Sequence, residues 1–123
     1  MKTVAIIDDE REILTLLEKF LMKTGKYKVQ TFTDPVHALR VLSGNFEVDV
    51  VLLDIMMPQM DGIEFLEKFK ATDNPAEVIM MTAYSTLERV LKSHKYGAKQ
   101  YVTKPFASLH EIDEKITLVL NNR

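Results

Sequence analysis

Val50-Val51-Leu52-Leu53 is a run of four apolar residues closed by one acid, Asp54. A run without polar alternation reads as a strand buried on both faces, with the acid delivered to its carboxyl edge. A carboxylate held there gives up water, which costs free energy unless a metal ion or an ammonium stands beside it. The pattern recurs along the chain. Val4-Ala5-Ile6-Ile7 runs into Asp8-Asp9-Glu10, Val78-Ile79-Met80-Met81 ends on Thr82, and Gln100-Tyr101-Val102-Thr103 leads into Lys104-Pro105. Strands buried on both faces belong to parallel sheets sandwiched between helices, so the chain is confined to the α/β class.

Between those runs the apolar spacing becomes helical. A helix is predicted from Glu10 to about Thr24, with Ile13, Leu16, Leu17, Phe20 and Leu21 inward and Gly25 as its stop. Tyr27 to Phe32 reads as a strand nearer the sheet edge. Asp34-Pro35 then caps a second helix, with Ala38, Leu39 and Leu42 inward, that ends near Gly44. The strand ending in Asp54 starts near Val48. A third helix, capped by Asp61, turns Ile63, Leu66 and Phe69 inward, and a fourth turns in Leu87, Val90 and Leu91 before Gly97. The last carries Leu109, Ile112, Ile116, Val119 and Leu120. Five strands alternating with five helices predict a doubly wound, five-stranded parallel sheet with right-handed crossovers, in one domain over residues 1–123.

Sixteen Lys and Arg against eighteen Asp and Glu leave a net charge of −2. Bulk electrostatics therefore predict neither nucleic-acid binding nor attachment to an anionic membrane. The absence of cysteine excludes disulfides, thiol catalysis and Cys-ligated zinc. The first apolar run is too short for a signal peptide or a membrane span, so a cytoplasmic location is expected.

In an open α/β sheet a ligand sits beyond the carboxyl ends of the strands. Those ends hold Asp8, Asp9, Asp54, Thr82 and Lys104. Three carboxylates at one edge repel one another, and an all-oxygen set suits a hard divalent cation such as Mg²⁺. No histidine has zinc spacing to another, and His37, His94 and His110 read as solvated helix residues. Each site residue alone has a plainer reading: Asp8 or Asp9 as a helix cap, Thr82 as a β-residue, Lys104 as a surface charge. Together at successive strand ends they form a carboxylate nucleophile with a metal, an ammonium and a hydroxyl around it. That arrangement stabilises phosphoryl oxygens in flight, and the reaction it implies is phosphorylation of an aspartate.

These residues carry a resemblance to a known family. Ile7-Asp8-Asp9-Glu10, Leu53-Asp54-Ile55-Met56-Met57-Pro58 with Met60-Asp61-Gly62, Met81-Thr82-Ala83, and Tyr101-Val102-Thr103-Lys104-Pro105-Phe106 stand as in the receiver domains of bacterial two-component response regulators. The likeness covers essentially the whole chain. It implies a CheY-like, flavodoxin-like (βα)5 fold of strand order 2-1-3-4-5. It implies that Asp54 accepts a phosphoryl group from the phosphohistidine of a sensor histidine kinase or a histidine phosphotransfer protein. Mg²⁺ would be bound by Asp9, Asp54 and the backbone carbonyl of Met56, with Asp8 acting through water. Thr82, Lys104 and the backbone N–H groups of Met56 and Ala83 would contact the phosphoryl oxygens. Family pattern adds a cis Lys104–Pro105 bond, and makes Thr82 and Tyr101 a switch pair that rearranges the surface of the fourth helix, fifth strand and fifth helix for a downstream effector protein or domain. Such a domain binds neither nucleic acid nor membrane directly, and it promotes its own phosphorylation without being a conventional turnover enzyme. Met56 and Tyr84 flank the path of a water attacking the aspartyl phosphate, and neither offers an acid or amide to orient it, so slow self-dephosphorylation is expected.

Winged-helix regulators of this family usually carry two acids after Gly-Ala and an arginine in the last helix, which pair across a dimer. Here Gly97-Ala98 is followed by Lys99-Gln100, and residues 111–120 hold no arginine. Three rivals share the fold class. A haloacid-dehalogenase-type phosphatase wants its two acids one residue apart after the first strand, and a flavin module wants a phosphate-cradling loop there; this chain has neither. A pseudo-receiver that only docks remains the alternative. The end of the chain at Asn121-Asn122-Arg123 fits a stand-alone receiver, and a piece of a longer regulator would read the same.

Overall fold

The computed structural model describes residues 1–83 and 87–123, with Leu87 described by its backbone alone. The elements alternate throughout: β1 (Lys2–Ile7), α1 (Arg11–Lys23), β2 (Tyr27–Phe32), α2 (Pro35–Leu42), β3 (Val50–Asp54), α3 (Gly62–Lys70), β4 (Glu77–Ala83), α4 (Leu87–Lys95), β5 (Gln100–Lys104) and α5 (Leu109–Asn121). All pairings are parallel, and the sheet runs β2-β1-β3-β4-β5, as expected.

The residue pattern of the strands follows from this order. In β3, Val51 and Leu53 enter the apolar layer under α2, α3 and α4, while Val50 and Leu52 enter the layer under α1 and α5. Both faces are covered, so every β3 residue is buried and none needs to be polar before Asp54. The edge strands β2 and β5 keep exposed or half-buried positions along their length.

The helices correct several expectations. In α1 the inward face is Leu14, Leu17 and Leu21; Leu16 is 44% exposed, because it lies one step round the helix from that stripe. In α3 Phe65 is fully buried beside Leu66 and Phe69, whereas Ile63 is only partly covered. In α4 Leu91 is 64% exposed and Ser93 takes the inward position near Val90, its hydroxyl donating to the Val90 carbonyl at 2.6 Å. The caps hold: Asp34 accepts from the Val36 N–H and Asp61 from the Glu64 N–H, each at 2.9 Å. His37, His94 and His110 are exposed.

Asp113, on the inner side of α5, is a buried acid with its own partners. It accepts from the Tyr27 hydroxyl at 2.5 Å and the Lys26 ammonium at 2.7 Å, tying the start of β2 to α5. Burial alone would raise this carboxyl, but those two hydrogen bonds outweigh it and hold its pKa below the ordinary value. A depressed carboxylate stabilises the fold above its unfolded pKa and ceases to do so as pH falls through the folded one. Asp113→Ala is therefore expected to cost about 2 kcal/mol at pH 7. Urea midpoints should show that gap closing below about pH 4; a gap independent of pH would contradict the assignment.

Candidate functional site

The carboxyl ends of β1, β3, β4 and β5 lie side by side, and Lys104 brings Asp8 and Asp54 together there. Asp8 is fully buried just past β1, Asp54 is 5% exposed at the end of β3, and Thr82 is 2% exposed near the end of β4. Lys104 reaches in from the end of β5. Its ammonium stands 2.5 Å from Asp8 Oδ2, 3.3 Å from Asp54 Oδ1 and 3.5 Å from Glu10 Oε1. Asp8 Oδ1 also accepts from the Glu10 N–H at 2.9 Å, which turns the start of α1 over the site. The Thr82 hydroxyl donates to the Ala83 carbonyl at 2.9 Å. The Lys104–Pro105 bond is cis.

The electrostatics reflect crowding. Burial, then the charge of Asp8, pushes the Asp54 carboxyl up to about 7 against the pull of Lys104. Burial likewise raises Asp8, although Lys104 and the Glu10 N–H work the other way. For Lys104 burial disfavours the charged form, yet the hydrogen bond it donates to Asp8 and the charges of the neighbouring acids keep its pKa above the ordinary value. One ammonium thus falls short of neutralising the buried acids, so the site retains an appetite for positive charge.

Asp8, Glu10 and Asp54 each offer a carboxylate oxygen, all within 4.8 Å of one another. An all-oxygen donor set of this size, with excess negative charge, fits a hard divalent cation. Glu10 is the member that sequence reasoning left out of the ligand set. Asp9 is exposed and stands outside this group, near enough only to add to the charge felt by Asp54. Met56 is 55% exposed at the start of the loop after β3, and Tyr101 is 37% exposed on β5. Tyr84 lies outside the described residues.

The strand that ends in Asp54 is braced from beneath by a feature with no signal in sequence periodicity. A Cβ on Gly62 would lie 2.4 Å from the Asp54 carbonyl oxygen and 2.8 Å from the Ile55 Cα. The Gly62 N–H donates to the Ile55 carbonyl at 2.7 Å. The first turn of α3 therefore rests directly on the backbone that presents Asp54. Beside it, the Asp61 carboxylate pairs with Arg89 of α4.

Among the described residues no helix is long and apolar enough to cross a membrane. Residues 4–117 match the family model of the response regulator receiver domain. The chain is 37% identical over 111 residues to sporulation initiation phosphotransferase F of Bacillus subtilis, covering 90% of this chain and 85% of that protein. It is 36% identical to the DNA-binding transcriptional regulator NtrC of Escherichia coli over 94% of this chain and 24% of that protein. With the transcriptional regulatory protein PrrA of Mycobacterium tuberculosis it shares 32% identity over 98% of this chain, and it spans half the length of that relative. Among solved structures, the CheY-like receiver domain protein of Methanospirillum hungatei superposes with a TM-score of 0.90 at 30% identity, over 99% of this chain and 95% of that one. An acid-and-lysine cluster at the carboxyl edge of a 2-1-3-4-5 sheet and a family match across nearly the whole chain lead to one conclusion: the protein belongs to the receiver domains of two-component response regulators.

Proposed function

We propose that Asp54 is the phosphoryl acceptor of a cytoplasmic signalling protein, loaded in a Mg²⁺-dependent reaction from the phosphohistidine of a sensor histidine kinase or a histidine phosphotransfer protein. The observation that carries this reading is the Lys104 ammonium set between the buried carboxylates of Asp8 and Asp54, 3.3 Å from the latter. In the transfer an Asp54 oxygen forms a bond to phosphorus as the phosphorus–nitrogen bond to the donor imidazole breaks, and the imidazole leaves with the electron pair and takes up a proton. Little covalent assistance is needed, so positioning and charge neutralisation supply most of the acceleration. Lys104 offers a fixed charge to one phosphoryl oxygen, Thr82 a hydroxyl to another, and the N–H groups of Met56 and Ala83 complete the cradle. Asp8, Asp9, Asp54 and the Met56 carbonyl would hold Mg²⁺, which neutralises charge on the transferred group; Glu10 lies close enough to contribute.

Turning the Thr82 hydroxyl from the Ala83 carbonyl toward the phosphoryl group links chemistry to output, and Tyr101 follows into the space left. The rearranged face of α4, β5 and α5 is read by a downstream effector protein or domain, a population shift driven by contacts made only in the loaded state. Residues 1–123 act as one domain in this role, without direct contact to nucleic acid or membrane.

Incubation with acetyl phosphate and Mg²⁺ followed by intact mass tests the reading. One phosphoryl adduct is expected in the parent, none in Asp54→Asn and none with chelator. No adduct in the parent would leave a docking module without phosphoryl chemistry. Once loaded, the protein should keep its phosphate for minutes or longer, because Met56 offers no group that orients an attacking water. Loss of radiolabelled phosphate measures this, and a half-life of seconds sinks the role given to Met56.

A further inference from the structure

Arg89 lies in the first turns of α4, and its guanidinium pairs with Asp61, the residue that caps α3. Both oxygens of that carboxylate are engaged: Oδ1 accepts from the Glu64 N–H at 2.9 Å, and Oδ2 takes Arg89. Burial would raise the Asp61 carboxyl, but the Glu64 N–H and Arg89 outweigh it and hold its pKa below the ordinary value. Asp61 is a fixed post. The Phe65 N–H donates to its carbonyl at 3.0 Å, and the next residue, Gly62, is pressed against the backbone of Asp54.

Arg89 belongs to α4, the helix that comes next in the chain after β4. The helix begins at Leu87, four positions after Ala83, and Ala83 carries the carbonyl that holds the Thr82 hydroxyl. One ion pair thus spans the loop that presents the acceptor and the helix downstream of the residue proposed to contact the phosphoryl group. On the reading of Asp54 as acceptor, we infer that Arg89 is a positioning residue: its pairing with Asp61 holds α4, and through it the Thr82–Ala83 end of β4, in the resting arrangement and so slows phosphoryl acceptance. Thr82 reaches the phosphoryl group more readily when α4 is released from this post. Each group in the pair is about one third exposed, which sets the scale of the effect.

Acceptance from acetyl phosphate with Mg²⁺, followed by intact mass, is measured for Arg89→Gln, Asp61→Asn, their double variant and Arg89→Lys. Asp61→Asn keeps an oxygen for the α3 cap and loses only the charge. Each single variant is expected to load about two- to fivefold faster than the parent, the range open to a partly exposed ion pair. The double variant should be no faster than either single one, and Arg89→Lys should restore most of the parent rate. Amide exchange across residues 88–95 without phosphodonor is followed in parallel, and the same variants should exchange faster by a similar factor. Slower or unchanged loading with unchanged exchange, or additive effects in the double variant, would overturn the inference. A parent that takes no phosphoryl group would instead sink the acceptor reading, and the exchange comparison alone would then decide whether the pair holds α4.

Discussion

In chelator at pH 8, Asp54→Asn should resist urea better than the parent, by on the order of 2 kcal/mol and at most about 4. Burial and the charge of Asp8 push the Asp54 carboxyl up to about 7, while in the unfolded chain it titrates near the usual carboxylate value of about 3.9. The sign follows directly. A carboxyl whose folded pKa is raised holds its proton better in the native state, so it imposes no penalty below about pH 4. Ionisation then destabilises the fold progressively up to about pH 7 and by a constant amount above it. Asparagine at this position keeps an acceptor for Lys104 and removes the charge, while the Lys104–Asp8 contact at 2.5 Å survives. The advantage of the variant should therefore grow between pH 4 and pH 7 and vanish toward the acid end. Mg²⁺ should narrow it at pH 8, because an ion bound only by the folded parent adds stability by mass action. A variant no more stable than the parent at pH 8, or an advantage unchanged at pH 4, would show that charge crowding does not govern this site.

Gly62→Ala should lower stability by about 3 kcal/mol, through overpacking against backbone that has nowhere to go. The new Cβ would meet the Asp54 carbonyl oxygen at 2.4 Å, the Ile55 Cα at 2.8 Å and the Asp54 carbonyl carbon at 3.1 Å. None of these is the flexible end of a side chain. Relief requires α3 to lift from the end of β3, which breaks the 2.7 Å hydrogen bond from the Gly62 N–H to Ile55 and shifts Asp54 itself. Thermal unfolding should fall by about 10 °C, and the stabilisation by Mg²⁺ should shrink with it. Gly44→Ala serves as the control. A Cβ there meets only the Val41 carbonyl oxygen, at an ordinary 3.6 Å, so it should change stability by less than about 0.5 kcal/mol. Equal effects at the two glycines would remove the steric argument.

Both experiments bear on what could be read from residues alone. The boundaries of β2 and the caps at Asp34 and Asp61 were legible because turn chemistry and alternation are local properties. The central strands were legible for a related reason: a run such as Val50 to Leu53 satisfies only a position covered on both faces. Helix faces were less so. Leu16 and Leu91 fit an apolar stripe as well as Leu14 and Val90 do, and only packing against the sheet decides which side of the helix turns inward. Asp113 illustrates the opposite failure. A charge in the middle of a helix reads as solvent-facing until Tyr27 and Lys26, 86 and 87 positions away, are brought onto it.

Sequence by itself determined the alternating α/β order, the strand ends that carry chemistry, and the family signature built on Asp54, Thr82 and Lys104. It could do so because each signal lies within a few consecutive residues. Tertiary structure decided which acids share one site. It grouped Glu10 with Asp8 and Asp54, left Asp9 exposed at the rim, laid Gly62 on the backbone of Asp54 and Ile55 and joined Arg89 to Asp61. Those meetings depend on sheet order, on the path of the loops after β1 and β3 and on how α3 and α4 pack. Contacts across such separations carry no periodicity, so no local pattern announces them.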